Sequence, residues 1–418
     1  MKPEAETAAP APAGRDAYAA LRSRGYRAYL ASIGAVSLAT QIQSAVLGWQ
    51  VYAITGEPLS LGLVGLAEAL PFLSLTLVGG WAADRFDRRR LVLLALALVC
   101  ASGASLLAVS AAGPRSVLPL YAAQALAGVG RAFFRPASWA LGTQLVARES
   151  YHNAAAWRST TFYVATVLGP AVGGALMAAG GPSLAYAVVV SLFAVGIATV
   201  AGIAAPRRTP EPRTRLIPEL ADGVRFVLRE PLLLGAMSLD MFAVLFGGAT
   251  ALLPVFARDV LHVGEVGFGL LRAAPAAGSI AMSLFLARFG HFRRAGRALL
   301  WAVALFGLSW MAFGVSRSFA LSLAILAAGG ALDNVSVVLR STLLQTFTPQ
   351  DKMGRVAAVN GFFIGSSNEI GAFESGVAAR LVGVVPSVLL GGALTLVTVA
   401  VVAWRAPALR RLERIVPP

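Results

Sequence analysis

Residues 80–90 read GWAADRFDRRR, a charged segment in a chain that is otherwise poor in charge. Apolar stretches near residues 60–83 and 91–111 precede and follow it. A bilayer core of about 30 Å requires roughly 20 apolar residues per helix, because every backbone N–H and C=O must be hydrogen-bonded within the hydrocarbon. The segment is therefore predicted to join two membrane-spanning helices.

The rest of the chain repeats this alternation of apolar stretches and short polar breaks. The 418 residues are 57% hydrophobic and 13% charged, whereas soluble domains carry about 25% charged residues. We therefore predict an all-α membrane protein with twelve transmembrane helices. The predicted spans are residues 28–55, 60–83, 91–111, 117–146, 152–180, 183–204, 231–257, 265–287, 297–315, 319–347, 354–380 and 384–404.

The long internal polar segment divides the spans into six and six. Two bundles of this kind can rock about a site at the membrane midplane. The internal repeat has weak support in the sequence, with scattered matches such as Gln144 with Gln345. The predicted domains are a disordered cytoplasmic tail (1–27), a six-helix bundle (28–204), a cytoplasmic linker with a surface helix (205–230), a second six-helix bundle (231–404) and a cytoplasmic tail (405–418).

The basic residues predict the orientation of the chain. With the N-terminus inside, 26 of the 35 lysines and arginines lie in cytoplasmic segments and 4 lie in external loops. Short cytoplasmic loops are enriched in basic residues, so both termini are predicted to face the cytoplasm from a multi-pass position in the cell (inner) membrane. The net charge of +15 does not cluster on a polar domain, so the expected partner is the lipid bilayer and no nucleic acid is expected.

The segment 80–90 has the composition of a cytoplasmic gate. Gly80 permits close helix approach, and Asp84 at a helix end can accept hydrogen bonds from arginine or from a neighbouring helix N-terminus. The gate prediction comprises Gly80, Asp84, Arg85, Arg88 and Arg89. The alternative is a basic loop that only sets the topology.

Span five contains the sequence LGPAVGG at 168–174. A proline between glycines gives a kinked helix with a flat face, which a neighbouring backbone can approach closely. The residues concerned are Gly169, Pro170, Gly173 and Gly174.

Together these segments resemble the major facilitator superfamily, and in particular its enterobactin-exporter-like branch. Segment 80–90 is similar to the superfamily's helix 2–3 signature, with Asp87 where glycine is usual, and 169–174 is similar to a motif associated with exporters and antiporters. The sequence of 333–376 resembles the second half of the branch. The resemblance implies two six-helix bundles around a central cavity. The superfamily's usual arginine in helix 4 is absent, and Arg131 or Arg135 is expected to replace its charge.

Ten charged residues fall within the predicted spans. Each would cost roughly 2.5 to 3.5 kcal/mol at a helix centre, so they are expected to face one another or a wet cavity lined by helices 1, 4, 7, 10 and 11. A carboxylate at such a place can bind and release protons in competition with a cationic partner. These residues are Glu68, Asp240, Asp333, Glu369, Glu374, Arg131, Arg135, Arg158, Arg272 and Arg340.

Helical spacing divides these residues further. Asn360, Ser367 and Glu374 are seven apart and predict one polar stripe on helix 11, with Glu369 on a different face. Bracing between helices is the alternative role for the embedded charges, and it is the favoured role for Arg158 and Arg340. The candidates for cavity lining and proton coupling are Glu68, Arg131, Arg135, Asp240, Asp333, Arg340, Asn360, Ser367, Glu369 and Glu374.

The predicted function is secondary active transport, with proton-coupled efflux of a small amphipathic molecule of the drug or siderophore-like type by alternating access. The small-molecule substrate and the proton are the expected partners. No cofactor is expected, and no metal is expected because no histidines are spaced as metal ligands. The sequence contains no Gly-x4-Gly-Lys-Ser/Thr phosphate loop, which argues against an ATP-driven pump. An uptake permease of the same fold is the alternative. A membrane-embedded enzyme acting on lipid is a more distant one.

Overall fold

The computed structural model describes residues 16–204, 216–290, 292, 294–350, 352–413 and 415. Within these ranges the chain forms helices and no strand. The helices are α1 (Arg24–Thr55), α2 (Pro58–Arg85), α3 (Arg88–Ala111), α4 (Leu118–Gln144), α5 (Tyr151–Ala201), α6 (Leu216–Arg229), α7 (Pro231–Gly247), α8 (Gly264–Phe289), α9 (Ala295–Val315), α10 (Phe319–Phe347), α11 (Met353–Val382), α12 (Val384–Arg405) and α13 (Pro407–Arg411).

Helix α5 contains two of the predicted spans. Gly180 and Gly181 have non-helical backbone angles, and Gly181 has a φ of 70°, a conformation that residues with a Cβ rarely adopt. Pro182 follows at once. The break lies between the predicted spans 152–180 and 183–204, so α5 crosses the membrane twice.

Nine helical stretches of the described residues are long and apolar enough to cross a membrane, and the one that contains α5 covers two crossings. Helices α4 and α11 are long but fall outside this set. Both carry polar side chains within their length, such as Arg131 and Arg135 in α4 and Asn360 and Glu369 in α11. Counted with them, the described part of the chain makes twelve crossings, and the predicted all-α class is confirmed.

Helices extend into the described parts of the predicted tails. Helix α1 begins at Arg24 rather than at residue 28, because the Ser23 hydroxyl accepts a hydrogen bond from the Tyr26 N–H at 3.2 Å and caps the helix. Residues 1–15 of the predicted N-terminal tail and 205–215 of the predicted linker lie outside the described residues. In the C-terminal segment, α13 packs its buried Leu409 against the start of α9.

Close helix crossings occur at equivalent places in the two halves, as expected for the internal repeat that has only weak support in the sequence. In the first half, a Cβ added at Gly128 of α4 would overlap the Glu68 carbonyl oxygen of α2. In the second half, a Cβ added at Gly330 of α10 would overlap the Pro275 carbonyl oxygen of α8. The second and fourth membrane helices of each half therefore touch backbone to backbone at a glycine.

The two ends of the molecule differ in how the halves meet. The basic end carries residues 86–87, α6 and α13, and the opposite end carries the turns at 56–57 and 261–263. At the opposite end, a Cβ added at Gly62 of α2 would lie 3.1 Å from Phe373 of α11. At the basic end, a Cβ added at Gly80, Gly354 or Gly361 would meet nothing within 4 Å. The halves are in contact at the opposite end, which is closed, whereas these three glycines of the basic end face open space among the described residues.

Candidate transport site

A buried polar network occupies the middle of the first half. The carboxylate of Glu68, which is 8% exposed, accepts hydrogen bonds from the Arg131 guanidinium and the Gln124 amide, both on α4. The Gln43 amide of α1 donates to Gln124 at 3.3 Å and to the Ser102 hydroxyl of α3 at 3.4 Å. The network thus links side chains of four helices, and the two hydrogen bonds from α4 offset the cost of burying the Glu68 charge.

A second ion pair lies in the other half. The Arg340 guanidinium of α10 pairs with the Asp240 carboxylate of α7, and their side chains are 5% and 8% exposed. Asp333 precedes Arg340 by two helical turns on the same face of α10 and interacts electrostatically with both members of the pair. The structure therefore brings these three predicted residues together.

Glu369 of α11 lies where the second half meets the first. A Cβ added at Gly65 of α2 would be 3.4 Å from a carboxylate oxygen of Glu369. Glu369 interacts electrostatically with Glu68, Arg131 and Arg272. Two carboxylates and two arginines from both halves therefore face one another across the boundary between the halves.

Arg272 of α8 completes this group, although the predicted site did not include it. Its guanidinium donates a hydrogen bond of 2.8 Å to the Ser44 hydroxyl of α1 and so joins the two halves. A lone arginine in an apolar span was the sequence signal for it. The predicted cavity helices also omitted α2 and α8, which supply Glu68 and Arg272.

The predicted stripe on α11 points elsewhere. Asn360, Ser367 and Glu374 share their face with Gly371, at which an added Cβ would lie 2.9 Å from the Leu245 carbonyl oxygen of α7. The Ser367 hydroxyl is bonded to the Ile364 carbonyl of its own helix at 3.1 Å. The stripe therefore faces α7 within the second half, whereas Glu369 faces the first half.

Two further arginines of the first half lie over aromatic rings. The Arg135 guanidinium of α4 is 5.6 Å from the ring centre of Phe72 on α2, and Arg158 of α5 is 4.0 Å from that of Trp139 on α4. Arg131, Arg135 and Trp139 recur every four residues, so they follow one face of α4 from the network towards the basic end. Cations and aromatic surfaces thus alternate along this wall.

The predicted gate residues make contacts within the first half. Arg88 donates to the Ala140 carbonyl of α4 at 3.4 Å, and Arg89 donates to carbonyls at the end of α5, including that of Val200 at 3.3 Å. Asp87 caps α3 by accepting from the Arg90 N–H at 2.7 Å. Asp84 is exposed, and Arg85 lies over the Trp81 ring. Among the described residues, a Cβ added at Gly80 would meet no atom of the other half within 4 Å.

The glycine and proline residues of α5 lie at the closed end. A Cβ added at Gly169 would overlap Gln41 of α1, and one added at Gly173 would lie 3.6 Å from Ile42, also of α1. A Cβ added at Gly174 would lie 2.5 Å from the Glu265 carbonyl oxygen of α8, and one at Gly269 would lie 2.5 Å from that of Pro170. These residues therefore pack α5 onto both α1 and the second half.

A polar contact also joins the halves at this end. The Tyr52 hydroxyl of α1 donates to the Asp259 carboxylate, which follows α7. The Arg258 guanidinium lies 5.8 Å from the centre of the Tyr52 ring. None of these three residues was predicted as part of a site, because a tyrosine at a helix end and an acidic–basic pair in a short loop carry no distinctive pattern.

Comparisons with known proteins agree with this architecture. The sequence profile of the family described as transmembrane secretion effectors matches residues 15–415. The enterobactin exporter of Citrobacter koseri is 28% identical over 397 residues, which cover 90% of this chain and 91% of that protein. The enterobactin exporter of Shigella boydii is 28% identical over 396 residues, with 90% of each chain covered.

Solved structures show the same fold at lower sequence identity. The POT family transporter PepTSo has a TM-score of 0.73 and 15% identity, covering 93% of this chain and 98% of its own. The human organic anion transporter MFSD10 has a TM-score of 0.64 and 17% identity, covering 92% and 99%. The chain has the major facilitator fold and belongs to the transmembrane secretion effector family of that superfamily.

Proposed function

We propose that this protein exports a small amphipathic molecule of the siderophore-like type by alternating access, in exchange for protons. The relatives named enterobactin exporters match the chain over nine-tenths of its length. The observation that carries the proposal is the position of Glu369, on one half, beside the Glu68–Arg131 pair of the other.

The conformation supports loading from the cytoplasm. The basic end is proposed to face the cytoplasm, with both termini on that side, because basic residues are concentrated there. The halves separate towards this end and are closed at the other by the contacts of α2 with α11 and of α5 with α8. This is the state in which an exporter takes up its substrate.

The wall of α4 supports an amphipathic substrate with aromatic and anionic groups. Arg135 and Arg158 each lie over a ring of the protein, which leaves their N–H groups to bind oxygens of a ligand. Exposed Trp139 offers a ring face on the same side of α4. A drug or siderophore-like molecule with catechol or carboxylate groups fits this chemistry.

Glu369 supports coupling to protons. Its carboxylate lies between the Arg131 and Arg272 charges and beside a second carboxylate, so the electrostatic stabilisation of its ionised form changes when the halves move apart. Protonation then favours one arrangement of the halves and ionisation the other. Glu374, which faces α7, would not experience this change.

Transport into inside-out membrane vesicles tests the proposal. With an acidic lumen and enterobactin as the probe, we expect the vesicles to accumulate the compound unchanged. Glu369→Gln should lower gradient-driven accumulation by about tenfold or more, the range of a coupling free energy of 1–3 kcal/mol. Glu374→Gln, the same substitution on the same helix, should retain most of it.

Three outcomes would contradict the proposal. Accumulation only in right-side-out vesicles would identify an uptake permease, and conversion of the probe without accumulation would identify an enzyme. Equal loss of transport in the two glutamine variants would remove the assigned role of Glu369.

A further inference from the structure

A groove of about 640 Å³ opens on the outer surface of the second half at the basic end. Arg297 of α9 and Arg410 and Arg411 of α13 line its rim. Trp301 and Ala304, further along α9, and Ala403 of α12 contribute an apolar floor. The groove thus combines a cationic rim at the end of the helices with an apolar floor along their length.

The groove lies away from the boundary between the halves. Its helices expose large apolar side chains around it, including Trp301 at 66%, Trp404 at 71% and Val401 at 49%. A membrane protein exposes such a surface to lipid. An occupant of the groove would therefore come from the bilayer.

The C-terminal segment forms a fixed wall of the groove. The Ala295 and Gly296 N–H groups at the start of α9 donate to the Glu413 and Leu412 carbonyls at 3.0 and 3.1 Å. Leu409 is fully buried, and a Cβ added at Gly296 would overlap its carbonyl oxygen. Backbone contacts therefore hold Arg410 and Arg411 beside Arg297.

The three arginines form a positive site in the groove. Among the described residues, no carboxylate lies within ion-pair distance of Arg297, Arg410 or Arg411. Like charges held together repel one another and attract an anion. Guanidinium groups bind phosphate oxygens in a bidentate fashion, and basic pockets between transmembrane helices suit anionic lipid headgroups.

We propose that this groove binds one anionic diacyl phospholipid. The arginines bind the phosphate, and an acyl chain lies along Trp301, Ala304 and Ala403. A zwitterionic lipid would bring an ammonium group towards three cations, and a soluble phosphate would leave the apolar floor bare. Both should bind more weakly than the anionic lipid.

The test uses the purified full-length protein in detergent with added phosphatidylglycerol, phosphatidylcholine of the same acyl chains, or glycerol phosphate. We expect phosphatidylglycerol alone to raise the unfolding temperature by several degrees and to give a one-lipid adduct in native mass spectrometry. The variant R297Q/R410Q/R411Q should lose most of this shift and the adduct. The control R90Q/R225Q/R229Q removes three exposed arginines of the same end outside the groove and should keep both.

A second variant tests the floor without changing charge. Ala304→Phe fills the groove and leaves the arginines in place, so it should weaken the lipid adduct. If the triple variant fails to fold, this variant alone tests whether the groove binds the lipid. Equal stabilisation by phosphatidylcholine, or by glycerol phosphate, would overturn the proposal. Equal loss in the groove and control triples would also overturn it, since the effect would then belong to the overall charge of the surface.

Discussion

Among the residues that the structure describes, each half contains one embedded ion pair, and the two pairs differ in surroundings. The Asp240–Arg340 pair is sealed, with both side chains less than one-tenth exposed. In the Glu68–Arg131 pair the arginine side chain is 25% exposed, and the pair lies beside Glu369 of the other half. We therefore infer that the Asp240–Arg340 pair braces α7 against α10, while the Glu68–Arg131 pair takes part in transport.

The bracing role predicts how stability responds to substitution. Arg340→Met should destabilise the protein by about 3–5 kcal/mol, because it leaves buried carboxylates without their cation. The double variant Asp240→Leu/Arg340→Met should recover part of the loss, since of the two carboxylates only Asp333 then remains without the cation. Thermal or denaturant unfolding in detergent measures the stability of the single and of the double variant. A double variant as unstable as the single one would contradict the bracing role.

At the scale of elements, helix positions were predictable from the sequence and helix rotations were not. Length and hydropathy bounded each span, and Gly180, Gly181 and Pro182 located the break in α5. Both faces of α11 carry polar residues, so periodicity could not decide whether Glu369 or the Glu374 stripe faces the first half. That choice depends on tertiary packing, here on the approach of α11 to Gly65.

The close crossings give an element-scale prediction. Gly330→Ala should destabilise the protein by about 1–3 kcal/mol, because the new methyl group would overlap a carbonyl of α8 and force α8 and α10 apart. Gly361→Ala, the same change in α11 where nothing lies within 4 Å, should have little effect or be mildly stabilising. The measurement is the unfolding temperature of each variant. Equal destabilisation of the two would contradict the packing argument.

The loop between α2 and α3 gives a second prediction at the scale of elements. Asp84 is exposed in this conformation, so Asp84→Asn should change the unfolding temperature little. If the loop latches the basic end shut in the alternate state, the same variant should slow export several-fold, a change of about 1 kcal/mol in that equilibrium. Vesicle transport at unchanged protein level is the measurement. Export at the full rate would leave the loop with a topological role only.

At the scale of the whole molecule, the superfamily and the twelve-helix layout could be predicted from motifs and hydropathy. The interactions of Glu369 with Glu68 and Arg131, and of Arg272 with Ser44, could not, because these partners lie on the other half and are joined only after both bundles have folded. Sequence likewise carries no information on which end of the molecule is open. The repeat was weak in sequence because a close crossing requires a glycine at one position and little identity elsewhere.

The central claim is that the halves separate alternately at the two ends while the charged group stays between them. Distances between paired spin labels in a Cys100→Ser background measure this directly, with one pair at Arg90 and Gly354 and another at Glu57 and Leu381. On addition of a transported substrate, the distance at the basic end should shorten while the distance at the opposite end lengthens. Distances that stay fixed at both ends during transport would contradict the account.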